Sequence, residues 1–171
     1  MAKERVDIQY RGHRIIAMAH GAKIFPQNHP IEGGSVEESL ANAKGLIDAK
    51  YSERQKQRTA PHIGTVDDYA ESLAALKLGV HERAMLSAHY KADGRRLTAT
   101  ELAESAGWKS FSSANSHYGK LGKRIAEHVG LNLHGRDDEA WTEALATYDE
   151  DTHQWIMHQE LAQALLDLNM I

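Results

Sequence analysis

The sequence predicts an α+β fold in two parts: a small β-meander-plus-helix unit at 1–58 and a mainly helical unit at 65–171, joined by a linker at 59–64. Three observations carry this expectation. Val6, Ile8 and Tyr10 alternate and Arg11-Gly12 follows as a turn, which is the pattern of paired strands. Serine or threonine stands three residues ahead of an acid at Ser35/Glu38, Thr65/Asp68 and Thr98/Glu101. At that spacing the hydroxyl accepts from an orphan backbone N–H while the acid returns to the cap. Between the two parts, the polar run KYSERQKQR at 50–58 and then Thr59-Ala60-Pro61 break the apolar periodicity.

The elements follow in order. Extended segments are expected within 5–25, with 14–18 and 23–25 following the first turn. Pro26, Pro30 and Gly33-Gly34 mark a loop, after which Ser35 opens a helix at Val36. Its stripe Val36, Leu40, Ala43, Ile47 packs on the small sheet. The basic run that follows reads either as a solvated helix end or as an arm for phosphates. Thr65 opens a helix carrying Tyr69, Leu73 and Leu76, closed at Gly79. A further helix at 81–90 turns Met85 and His89 inward, Asp93-Gly94 turns the chain, and Leu97 forms a one-residue bridge. A short helix at 99–106 stops at Gly107. Ser112 or Ser113 then caps a long helix to Val129, with Ala114, Tyr118, Leu121, Ile125 and Val129 buried. Alternation over 141–148, the turn DEDT and a return over 153–158 predict a β-hairpin. Leu161, Ala164, Leu165 and Leu168 close the chain with a helix.

Composition excludes several classes. No run of about 18 apolar residues occurs and the N-terminus MAKERVDIQY is charged, so neither a membrane span nor a secretory signal is expected. The expectation is a cytoplasmic protein. With no cysteine there is no disulfide, thiolate zinc site or cysteine nucleophile. The eleven histidines fall in no HExxH or acid-flanked helical pair, so no metal and no cofactor are expected. His128, Asn132 and His134 share letters with a nuclease motif but straddle a helix end. No GxSxG elbow, Walker loop or dinucleotide fingerprint is present.

The net charge of −4 conceals a polarity: residues 1–127 carry 19 Lys and Arg against 15 Asp and Glu, whereas 128–171 carry only Arg136 against nine acids. A local basic stripe can exist on an acidic protein. The order helix, helix, bridge, short helix, turn, long helix, hairpin matches a winged helix-turn-helix, in which the long helix enters a major groove. Its outer face offers Ser112, Ser113, Asn115, Ser116, His117, Lys120, Lys123 and Arg124, and nothing acidic before Glu127. Lys and Arg reach guanine edges or phosphates, Asn pairs with adenine, and the serines at the helix start can hold a phosphate through backbone N–H groups. Gly119 and Gly122 point to the close approach of another backbone. The hairpin tip Asp149-Glu150-Asp151 and the loop Asp137-Asp138-Glu139 are acidic, so this wing is not expected to track phosphates. Trp108, Phe111, Trp141 and Trp155 are either base-stacking platforms or core. With three Trp and two Phe in the chain, core is the expectation.

The stretch from His81 to Leu131, MLSAHYKADGRRLTATELAESAGW followed by SSANSHYGKLGKRIAEHVGL, resembles an accessory module found beside the nuclease in predicted HNH-type restriction endonucleases. QWIMHQELAQALLDLNMI looks like that module's closing strand and helix. The resemblance implies DNA recognition in a phage or restriction/defence setting. No HNH nuclease follows before Ile171, so the expected function is non-enzymatic binding of double-stranded DNA by the helix at 112–129, assisted by the basic end of the first helix. The alternative is a phage-type inhibitor, anti-CRISPR or anti-restriction in kind, that binds a host defence protein through the acidic C-terminal surface.

Overall fold

The computed structural model describes residues 5–26, 28–133 and 138–171. The chain is mixed α+β, and its internal contacts divide it into two units, Met1–Lys56 and Gln57–Ile171. Among the expected features, His134 and Asp137 lie outside the described residues.

In the first unit β1 (Arg5–Tyr10), β2 (His13–Met18), β3 (Gly21–Phe25) and β4 (His29–Ile31) form an antiparallel meander in sequence order. Arg11 and Gly12 both take positive φ, the two-residue turn whose twist suits paired strands. The register sets Ile8 opposite Ile15 and Ile15 opposite Ile24, so one face of the sheet is apolar. Helix α1 (Val36–Gln57) covers that face with Val36, Ala43 and Ile47. The Glu38 N–H bonds the Ser35 hydroxyl at 3.1 Å as the spacing predicts, but the Glu38 carboxylate returns to the Gly34 N–H at 2.9 Å, one residue earlier than expected. The polar run continues α1 without a break to Gln57.

The second unit begins with α2 (Val66–Ala75), α3 (Val80–Lys91), β5 (Arg96–Leu97), α4 (Ala99–Ser105) and α5 (Phe111–Val129). It ends with a 3-10 segment (Asp138–Ala144), β6 (Ala146–Asp149), β7 (Gln154–Met157) and α6 (Gln159–Asp167). The strands form one antiparallel sheet in the order β5-β7-β6. Both threonine capping boxes form. Tyr69, Met85, Leu86, Leu102, Tyr118, Leu121, Ile125, Leu145, Leu161 and Leu165 meet in the main core.

Four local expectations change. Gly79 does not close α2, which ends at Ala75 with Leu76 as its C-cap; its N–H instead bonds the Glu82 carboxylate at 2.8 Å and opens α3. Helix α5 begins earlier than expected, with Ser110 rather than Ser112 or Ser113 at the N-cap position and no hydrogen bond between its side chain and the helix start. Residues 141–145 are not strand: Thr142, Ala144 and Leu145 are all buried, and the Leu145 N–H bonds the Thr142 carbonyl at 2.8 Å, which alternation cannot provide. The 59–64 stretch lies within the second unit, where the Pro61 carbonyl accepts from the Asn132 N–H at 2.9 Å and the Gly64 N–H bonds the Tyr69 hydroxyl at 3.1 Å.

Candidate nucleic-acid interface

Helix α4 ends in Gly107 at φ +76°, with the Gly107 N–H on the Glu104 carbonyl and the Trp108 N–H on the Ala103 carbonyl, both at 2.9 Å. This is the left-handed glycine termination that turns a chain sharply. It throws Trp108 between two histidines, with ring centroids 4.8 Å from His81 and 4.6 Å from His117. His81 is itself fixed, because its Nδ1–H bonds the Ala106 carbonyl at 3.0 Å. Two tilted ring contacts therefore join the start of α3, the turn and α5.

Helix α5 buries Ala114, Tyr118, Leu121, Ile125 and Val129, as its spacing predicts. Its exposed surface carries Ser112, Asn115, Ser116, His117, Lys120 and Lys123, with Ser113 half-buried. Gly122 faces the 3-10 segment, and a Cβ there would collide with the Trp141 carbonyl, so the close backbone approach expected at Gly122 is to Trp141. The Lys123 ammonium stands 5.2 Å from the centre of the Trp141 ring. Arg124 differs from the two lysines. Its guanidinium bonds Glu82 at 2.8 Å and the Lys77 carbonyl at 2.9 Å, tying α5 to α3 and the loop before it.

The C-terminal end of α5 is anchored by a residue from the stretch read as linker. Arg58, its side chain 3% exposed, donates to the Val129 and Gly130 carbonyls at 2.7 and 2.9 Å and to Asp68 at 2.9 Å. A cation on terminal helix carbonyls is favourable, and burial of the pair makes it local. Arg58 is thus unavailable to phosphate, whereas Lys50 and Lys56 on α1 are exposed.

Beneath α5, fully buried His89 bridges three elements. Its Nε2 lies 2.9 Å from the Trp155 carbonyl and its Nδ1 2.8 Å from the Tyr118 hydroxyl. A carbonyl only accepts, so Nε2 carries the proton and Tyr118 donates to Nδ1. Loss of hydration lowers the pKa of His89 and raises that of Tyr118.

At the hairpin, Asp149 bonds Arg96 at 2.8 Å and accepts from the Asp151 and Thr152 N–H groups. Hydrogen bonding, first from the Thr152 side chain, lowers its pKa. Glu150 and Asp151 are exposed at the tip.

Exposed Lys109 escaped sequence reasoning, and Phe111, weighed there as base-stacking platform or core with core expected, is 58% exposed. Phe111 lies three residues before Ala114 and so continues the buried stripe on paper. Periodicity does not say where the element covering a stripe ends. Trp108, Trp141 and Trp155 do pack against apolar clusters. No three His, Asp or Glu among the described residues are grouped to hold a metal ion, and none of the described helices is long and apolar enough to cross a membrane. No family model, curated protein or solved structure matches the chain.

Proposed function

We propose that the second unit binds double-stranded DNA as a winged helix-turn-helix, without catalysis, with the first half of α5 in the major groove. One observation carries the reading: from Trp108 to Ala126 there is no carboxylate, while Asn115, Ser116, His117, Lys120 and Lys123 are exposed. The element order supports it, since helix, strand, helix, helix and hairpin succeed one another and β5 pairs with the second hairpin strand, β7. Lys109, Lys120 and Lys123 bind phosphates. Asn115 reads adenine through its carboxamide, and Ser112 and Ser116 bond base edges or backbone. His117 packs against the Trp108 ring. Arg124 braces the helix against Glu82 and is not counted among the DNA contacts. The hairpin stays off the backbone, because Glu150 and Asp151 would repel phosphates.

Three phosphate-bound lysines predict that log K falls with log salt at a slope of about −3. Lys120→Ala with Lys123→Ala should weaken duplex binding and bring the slope to about −1. A double variant with unchanged affinity and slope contradicts the assignment.

A second reading rests on the exposed acids at the hairpin tip beside the 43% exposed Tyr148: a protein partner with a basic surface, such as a nucleic-acid-handling defence enzyme, docks there. Reversing Glu150 and Asp151 to lysine separates the two. A DNA binder keeps or gains affinity for duplex, whereas an inhibitor loses its partner.

A further inference from the structure

Among the described residues only Val80 is a more exposed large apolar side chain than Phe111. Phe111 begins α5 and stands four residues ahead of Asn115, so the phenyl ring and the carboxamide are neighbours on one helix face, and both are exposed. The turn that delivers them is held by the tilted ring contacts of Trp108 with His81 and His117. Exposed Lys109, two residues before Phe111, adds a positive charge that complements a polyanion. A carboxamide matches the N6 and N7 edge of adenine, and an apolar side chain matches the only methyl group in the major groove of unmodified DNA, that of thymine.

We infer that Phe111 determines specificity by packing on the 5-methyl group of a thymine next to the adenine read by Asn115. This assignment rests on the groove-reading role of α5. Its ligand is a duplex containing an adenine–thymine step.

The test begins by selecting duplexes from a random pool with the full chain, then resynthesising the recovered duplexes with uracil for thymine, which removes only the methyl. Wild type should bind the uracil form about fourfold more weakly, the factor that burial of one methyl group supplies. Phe111→Ala should bind both forms alike, at close to the wild type's affinity for uracil. Phe111→Leu, still apolar, should keep a preference for thymine. Circular dichroism of each variant checks that the fold is intact, as the exposure of Phe111 leads one to expect. Equal binding of the two forms by wild type, or persistent thymine preference in Phe111→Ala, overturns the assignment and leaves groove reading in place. Failure of wild type to bind any duplex at low salt overturns both. Loss of self-association in Phe111→Ala with the thymine preference retained would make Phe111 a contact between copies of the chain and likewise overturns it.

Discussion

His89 is held neutral beneath α5, and this ties the stability of the second unit to pH. Unfolding frees the ring to titrate near its usual value of about 6.5. Below that pH the unfolded chain takes up a proton that the folded one refuses, so stability falls as pH drops. His158 acts in the same direction: it is buried with Nε2 2.8 Å from the Glu143 carbonyl, and desolvation lowers its pKa. Asp7, which the hydrogen bond from Arg14 holds down at about 2, contributes only in more acidic solution. Urea denaturation should therefore show a lower midpoint at pH 5.5 than at pH 7.5. His89→Gln should flatten the dependence by up to about 1.4 kcal/mol per pH unit. An unchanged slope would show that His89 is not the group that titrates. The inward position of His89 was legible from its spacing with Met85. The burial of Arg58 was not, because it ends a run of polar residues and its partners, the Val129 and Gly130 carbonyls, are remote in sequence.

At the scale of elements, α5 meets the 3-10 segment closely at Gly122. Glycine inside a helix ordinarily costs about 1 kcal/mol relative to alanine. At Gly122 the sign reverses, since an added Cβ would meet the Trp141 carbonyl. Gly122→Ala should lower thermal stability by more than about 1 kcal/mol through overpacking. Gly45→Ala, in α1 with open space around the position, should raise it by about 0.5–1 kcal/mol. A stabilised Gly122→Ala would mean that α5 and the 3-10 segment are not in contact. The helix starts at Ser35, Thr65 and Thr98 were legible, because a hydroxyl and an acid three residues apart report a local hydrogen-bond pair, whereas the starts of α3 and α5, which lack that pair, were not. The stretch at 141–145 was misread because its alternation of larger and smaller residues mimics a strand. In the fold Ala144 packs with Ala126, Val129 and Leu131 while Leu145 enters the main core, so consecutive side chains are buried.

For the molecule as a whole, charge is distributed so that any DNA affinity must be local. The second unit holds 11 Lys and Arg against 17 Asp and Glu, so its net charge opposes a polyanion while α5 carries the attracting stripe. Binding should therefore be weak to random sequence and gained mainly through base contacts. The outer surface of α5 was legible as soon as its buried stripe was placed. The separation of Arg124 from Lys120 and Lys123 was not, since Glu82 and the Lys77 carbonyl reach it from another helix and a loop. The most direct measurement is fluorescence anisotropy of a labelled random-sequence duplex titrated with the full chain across a salt series, with the Lys120→Ala, Lys123→Ala double variant alongside. Groove reading by α5 predicts wild-type binding that weakens with a slope of about −3 and a double variant near −1. No binding by wild type at low salt, or identical slopes for the two proteins, would contradict it.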